Sequence, residues 1–379
     1  MTGLDELLSD RISRFGSIRF DEFVDLALNA PECGFFASGG AAGRREGDFI
    51  TSPEVGPTFG AVVARFLDAR WEDLGFPDPF VVVDAGAGRG ALALSVLAAS
   101  PRCAHALRYV LVESSPVLRQ AQTEHLALVH PFEVLGPDAD PDAGVPAPDA
   151  GAGPLVCSLE DLPVQRVDGV VLANELLDNL PFRLLERSES GWSEIRVGLD
   201  SGRLVELSVP ADEAVADRAD ALAPDAAVGA RIPLQESAGQ WLREALAALR
   251  VGSVVVVDYA ATTTSSLADR PMDEWLRTYR SHVRGGPPLS EPGTQDVTCE
   301  VAVDQLGRVA PPDDDRSQSD WLRHWGIDTL VDEGRRIWDE RAGVGDLVAL
   351  RARSRAVEAE ALTDPTGLGA FRVLEWRVG

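Results

Sequence analysis

Val81-Val82-Val83-Asp84-Ala85-Gly86-Ala87-Gly88-Arg89-Gly90 is a β-branched run that breaks into a glycine loop, and Ala91-Leu92-Ala93-Leu94-Ser95-Val96-Leu97 follows it. Three β-branched residues in succession suit a parallel strand covered on both faces. The glycines let backbone approach a ligand closely, and the apolar run behind them reads as the packed helix. Glu113 ends a second apolar strand, Tyr109-Val110-Leu111-Val112. A carboxylate there can accept hydrogen bonds from both hydroxyls of a ribose. Such loops also occur as plain strand-to-helix turns, but strand, loop, helix, strand and terminal Glu in this order point to an adenosine-containing cofactor. The loop is Gly-x-Gly-x-Gly, with Asp84 two residues before its first glycine. That carboxylate would repel a pyrophosphate, whereas it attracts the ammonium and sulfonium of S-adenosylmethionine.

The chain has 379 residues and 45% hydrophobic residues, enough for one large domain or two ordinary ones. No apolar run is long enough to cross a membrane, and Met1 to Asp10 is acidic without an apolar signal core. The expectation is a cytoplasmic protein without membrane insertion. A net charge of −26 argues against nucleic acid as a partner and fits either a basic substrate or plain solubility. Cys33, Cys103, Cys157 and Cys299 are far apart and the five histidines form no ligand cluster, so neither a disulfide framework nor a metal is expected.

Further strands fall near Leu155-Val156-Cys157, Gly169 to Ala173 and Ser253 to Asp258. Alternation with helices predicts a right-handed parallel sheet. Arg183–Glu186, Trp192–Val197 and Arg203–Leu207 read as a small antiparallel insertion. Helices are expected around Trp275 to Arg284 and Ser319 to Ala342. Asp346–Arg351 and Phe371–Trp376 read as two terminal strands that complete the sheet with an antiparallel hairpin. The fold class is therefore α/β, Rossmann-like, with a mostly parallel seven-stranded sheet of methyltransferase type rather than a six-strand dinucleotide domain. The expected segments are a helical N-terminal cap (1–79), a cofactor-binding core (80–259) with a β insertion at about 182–210, a helical substrate insertion (260–345), and C-terminal strands (346–379).

Three further clusters can carry chemistry. Asp48 to Glu54 includes Thr51 and Ser52, which fit a helix start with Pro53 and Glu54 in the first turn, and which can also close a cofactor mouth. Asn174-Glu175-Leu176-Leu177-Asp178 follows the fourth strand, where ligands of open α/β sheets bind. Asn174 and Asp178 also suit caps and turns. The third cluster, Trp275 to His282, contains Tyr279 and His282, with the buried face of a helix as the simpler reading.

In this order the motifs resemble the bacterial MidA-type methyltransferase family, which includes the mitochondrial complex I assembly methyltransferase. The resemblance rests on Gly47-Asp48-Phe49, Thr51-Ser52-Pro53-Glu54, the glycine loop, Glu113-Ser114-Ser115-Pro116, Asn174-Glu175-Leu176-Leu177-Asp178, Val257-Asp258-Tyr259, Tyr279 with His282, and Asp296-Val297-Thr298. Asp84 and Ala87 stand where the family commonly has Glu and Pro, Ala91 where it has Thr, and Ala260 replaces a common glycine. The resemblance implies S-adenosylmethionine as cofactor and a protein substrate. In the mitochondrial relative that substrate is an arginine on a complex I core subunit.

The expected site follows. Asp84, Gly86, Gly88 and Gly90 meet the methionine portion, while Glu113 and Ser114 meet the ribose. Ser158, Leu159, Glu160 and Asn174 contact adenine or the neighbouring crevice. Glu175, Asp178, Glu54 and Asn174 are the catalytic candidates, and Asp48, Thr51, Ser52, Tyr279 and His282 face the substrate. Competing functions are a noncatalytic cofactor-binding assembly factor, a small-molecule methyltransferase and a nicotinamide-dependent oxidoreductase. A homodimer built on residues 260–345 is left open.

Overall fold

Phe80–Ala85 (β1) and Leu107–Val112 (β2) are buried at every position, as strands must be when helices cover both faces of a parallel sheet. The burial includes Arg108, whose guanidinium Nη2 donates to the Asp149 carbonyl at 2.7 Å. The computed structural model describes residues 3–37, 51–136, 149–280 and 283–379. Leu155–Leu159 (β3), Val167–Asn174 (β4), Leu249–Asp258 (β5), Asp314–Ser317 (β6) and Arg372–Val378 (β7) complete a seven-stranded sheet. Its order is β6-β7-β5-β4-β1-β2-β3. The five strands β1 to β5 pair in parallel, and β6 pairs antiparallel with β7. The sheet is thus mostly parallel and carries an antiparallel edge, as the strand spacing predicts.

The composition of that edge differs from expectation. Asp346–Arg351 is not a strand: Asp346 accepts a hydrogen bond from the Ala349 N–H at 3.0 Å and caps a helix, Leu347–Thr363. A short apolar run such as Leu347-Val348-Ala349-Leu350 suits either state, and the Arg/Ala/Glu-rich sequence behind it propagates a helix. The partner of β7 is instead Asp314-Asp315-Arg316-Ser317, four polar residues without a hydrophobic signal. Asp315 is paired there with Arg372 on β7. The helix expected around Trp275–Arg284 is also corrected. Helix ends at Trp275, and Leu276–Arg280 is a strand antiparallel to Asp296–Cys299. Leu276 and Thr278 are buried while Arg277 and Tyr279 are less so, an alternation of period two rather than 3.6.

The chain forms two interleaved units. One comprises 1–49, 176–244 and 258–311; the other comprises 50–175, 245–257 and 312–379. They cut across the segments 1–79, 80–259, 260–345 and 346–379. The first unit contains the helices Gly3–Phe15 and Phe20–Asn29 and a sheet of Ile18–Arg19, Arg183–Ser188, Gly191–Asp200, Arg203–Pro210 and Arg231–Leu234. The antiparallel insertion is therefore present, enlarged by strands from both directions along the chain.

The second unit holds the seven-stranded sheet and the helices Ser52–Val55 (α1), Pro57–Asp73 (α2), Ala91–Ala98 (α3), Pro116–Gln122 (α4), Gln318–His324 (α5), Ile327–Arg341 (α6) and Leu347–Thr363 (α7). Helices α5 and α6 occupy the region expected to be helical at 319–342. Phe66 of α2 packs against Trp321 and Trp325, with ring centroids 5.4 and 5.2 Å apart. The amino end of α2 has no side-chain cap of its own, and the buried Glu358 of α7 supplies one. Its carboxylate accepts the Thr58 N–H at 3.0 Å and the Thr58 hydroxyl at 2.5 Å.

Glu358→Ala leaves both Thr58 donors buried and unpaired. It should lower stability by about 1–3 kcal/mol. The expected readout is a melting transition lowered by several degrees in calorimetry.

Candidate functional site

The loop after β1 places Gly86, Gly88 and Gly90 in left-handed backbone, with φ of 72, 53 and 83°. Glycine adopts this region without the clash that a Cβ creates. At Gly88 a Cβ would meet nothing within 4 Å, so the loop presents bare backbone to open space. The Gly86 and Ala87 N–H groups donate to the Val112 carbonyl, which docks the loop on the end of β2. Gln122 of α4 holds the other side, donating to the Gly88 carbonyl at 2.8 Å.

Glu113 leaves β2 with its carboxylate turned back to this loop. One oxygen accepts the Gly88 N–H at 2.9 Å and the other the Ser115 N–H at 2.8 Å. Each carboxylate oxygen retains further lone-pair capacity, so these bonds orient Glu113 without saturating it. Burial raises its pKa against the lowering effect of those two N–H bonds. Asp84, fully enclosed at the end of β1, accepts the Tyr109 hydroxyl at 3.1 Å. Desolvation pushes its pKa up to about 7, with the negative charge of Glu113 adding to the rise. Ser114 and Glu160 are exposed, and Glu160 is paired with Arg119 at 3.3 Å. Ser158 and Leu159 are half-buried at the end of β3.

At the end of β4, Glu175 adopts a left-handed backbone with φ of 53°. Such a conformation in a non-glycine residue costs of order 1–3 kcal/mol and concentrates at functional sites. Its main-chain N–H is retained by the Val257 carbonyl at 2.8 Å. Its Oε1 accepts the Ser52 N–H at 3.0 Å and the Asn174 amide at 3.1 Å. Thr51 and Glu54 form a capping box at the start of α1, and burial raises the Glu54 carboxyl to about 7. The Ser52 hydroxyl is turned inward and donates to Gln318 at 3.0 Å.

Residues 176–244, directly after Glu175, belong to the first unit, as does Asp258. There the buried Asp258 accepts the N–H groups of Leu177 and Tyr259, each at 2.8 Å, and takes further backbone bonds from Asp178 and Leu176. Desolvation nevertheless raises Asp258 to about 7. Tyr279 lies half-buried on the strand Leu276–Arg280, opposite Asp296. The Arg277 guanidinium lies 4.6 Å from the centre of the Tyr259 ring. Asp48 and His282 lie outside the described residues. Tyr109, Gln122, Gln318 and Asp258 do not figure among the expected site residues. The first three are distant in sequence and look like ordinary strand or helix residues, whereas Asp258 could have been found as an acid at a strand end.

An adenosyl ligand without phosphate fits these groups. The Gly88 backbone is open, and Ser158 Oγ and Asn174 Oδ1 are buried without hydrogen-bond partners among the described residues. Such buried polar atoms carry a desolvation cost unless a ligand satisfies them. The two enclosed carboxylates oppose an anion at the same place. Among the described residues no group of three or more acidic, His or Cys side chains could hold a metal ion.

This parallel sheet, with its glycine loop and acidic strand ends, is the architecture of a class I methyltransferase. Residues 62–316 match a family model described as "Putative S-adenosyl-L-methionine-dependent methyltransferase". The chain belongs to that family, and S-adenosyl-L-methionine is its cofactor. It is 29% identical over 325 residues to a Drosophila melanogaster protein, covering 81% of this chain and 70% of the relative. That protein is named Protein arginine methyltransferase NDUFAF7 homolog, mitochondrial. A Danio rerio relative of corresponding name is 26% identical over 343 residues, covering 86% and 76%. A Burkholderia thailandensis protein crystallised with S-adenosyl-homocysteine superposes with a TM-score of 0.78 at 27% identity, covering 99% of this chain and 91% of that one.

The expected cytoplasmic location is corrected by these relatives, which are named mitochondrial. Organelle targeting uses amphipathic, Arg-rich segments, which a search for an apolar signal core does not register.

Asp84 and Glu54 have ordinary values of 3.8 and 4.5 and retain their protons to about pH 7 in the folded chain. The folded state binds the extra protons, so this stabilisation is full below about pH 4 and is lost as pH rises through about 7. Asp84→Asn should flatten that part of the profile, as read by urea unfolding of the ligand-free protein at a series of pH values.

Proposed function

We propose that this chain transfers a methyl group from S-adenosyl-L-methionine to an arginine side chain of a protein. The observation that carries the reading is Glu175: a half-buried carboxylate at a strand end, held in strained backbone with one oxygen anchored by Ser52 and Asn174. The relatives' names as protein arginine methyltransferases support the acceptor class. The resemblance to the mitochondrial complex I assembly methyltransferase supports a complex I core subunit as the protein that bears the arginine.

In this reading Glu113 accepts the ribose hydroxyls through the lone pairs left by Gly88 and Ser115. Asp84 faces the ammonium group, and Ser158 Oγ and Asn174 Oδ1 take polar contacts from the ligand. When bound, the cofactor supplies a methyl group on a positively charged sulfur. A guanidinium has a pKa above about 12, so early loss of its proton is costly. Glu175 instead orients the planar fork as a charge-assisted hydrogen-bond acceptor, which aims one nitrogen for in-line attack. Its carboxylate takes the proton late, as bonding to the methyl develops. Thr51 and Glu54 hold the turn that carries Ser52, so their contribution is to the placement of Glu175.

Two measurements test this. Glu175→Gln should bind S-adenosyl-L-methionine with affinity within about twofold of wild type in calorimetry. Its transfer of radiolabelled methyl to proteins from cells lacking the gene should fall by at least about 100-fold. Unchanged transfer removes Glu175 from the mechanism. Mass spectrometry of those cells should show one arginine without its methyl, whereas loss of a methylated small molecule would favour that acceptor class. Separately, Asp84 must shed a proton held to about pH 7 to face a cation. Wild-type affinity for the cofactor should therefore rise between about pH 6 and about pH 7.5, and Asp84→Asn should be weak and nearly flat over that range.

A further inference from the structure

The group that sets the direction of the Glu175 carboxylate is itself held from far downstream. Gln318 is fully buried at the start of α5. Its main-chain N–H donates to the Phe371 carbonyl at 2.7 Å. Its side-chain NH2 donates to the Leu362 carbonyl, near the end of α7, at 3.1 Å. Because a carbonyl can only accept, that bond dictates which way the amide points. The amide oxygen is left to accept the Ser52 hydroxyl at 3.0 Å. Ser52 is fully buried, and its own N–H donates to Glu175 Oε1 at 3.0 Å.

The turn that carries Ser52 needs such support. Helix α1 has only four residues, Ser52–Val55. A single turn does not stabilise itself, since it fixes several backbone angles for very few hydrogen bonds. Two contacts tie it down from distant parts of the chain. Glu358 grips Thr58 just behind it, and Gln318 grips Ser52 at its front. Only the second acts on the residue whose N–H meets Glu175.

We propose that Gln318 is a positioning residue for catalysis: by fixing Ser52 it fixes the N–H that aims Glu175. The inference rests on the reading of Glu175 as the group that orients the acceptor and takes its proton. Gln318 touches neither cofactor nor substrate; it acts through Ser52. The relay runs from the Leu362 carbonyl through the Gln318 amide and the Ser52 hydroxyl and N–H to the carboxylate.

The test uses the full-length chain with Gln318→Leu, Ser52→Ala and the double variant. Calorimetry with S-adenosyl-L-methionine is run beside transfer of tritiated methyl to a protein extract from cells lacking the gene. Each single variant should lower the rate at saturating cofactor by about 10–100-fold, the scale of a small misplacement in a reacting pair. Cofactor affinity should stay within about twofold. Both substitutions cut the same link, so the double variant should be no slower than the slower single variant. Losses that multiply in the double variant, or a parallel loss of cofactor affinity, would overturn the relay in favour of a general packing role. Should Gln318→Leu fail to fold, Ser52→Ala keeps the backbone donor and removes only the hydroxyl, and a wild-type rate in that variant overturns the relay. An inactive Glu175→Gln beside fully active Gln318→Leu and Ser52→Ala sinks the relay alone. An active Glu175→Gln sinks the catalytic reading on which it rests.

Discussion

Two carboxylates held away from water at adjacent strand ends, Asp84 and Glu113, constrain the glycine loop between them. Asp84 and Glu113 repel each other, and both resist ionisation because they are buried. A fold tolerates such groups only when hydrogen bonds compensate. Here the Tyr109 hydroxyl and the N–H groups of Gly88 and Ser115 do so. The left-handed glycines are part of that compensation, since they turn the loop so that the Gly88 N–H meets Glu113 while its outer side stays open. In charge terms the arrangement opposes phosphate and favours a cation.

The same logic recurs where the chain leaves the sheet. β4 runs into Glu175 and β5 ends at Asp258. Glu175 stores its cost in the backbone; Asp258 stores it in desolvation. Each is over-determined by bonds from residues far away in sequence: Ser52 for the first, Leu177 for the second. Groups with perturbed ionisation or strained backbone concentrate where a protein does chemistry. The supporting bonds are what keep their geometry from relaxing.

The first unit gathers segments from three parts of the chain around its antiparallel sheet. Its core includes Phe20 and Phe182, whose rings lie 5.5 Å apart although they come from separate segments. That assembly explains why the insertion after β4 has more strands than its own sequence suggests: Ile18–Arg19 pairs with Gly191–Asp200. A two-residue strand has no periodicity to read, and its partner exists only in the folded chain.

Local pattern alone determined the five parallel strands, the glycine loop, Glu113 at the second strand end and the Asn174-Glu175 pair with its neighbours. Each of these is written in consecutive residues, whose period or steric character can be read without knowing where the chain returns in space. Tertiary structure decided the rest. It made Asp314–Ser317 a strand by offering β7 as a partner, and it made Leu347–Thr363 a helix where an apolar run fitted either state. It paired Tyr109 with Asp84 and Gln318 with Ser52, because a hydrogen bond between distant residues depends on where the chain returns in space, and no sequence period records that return.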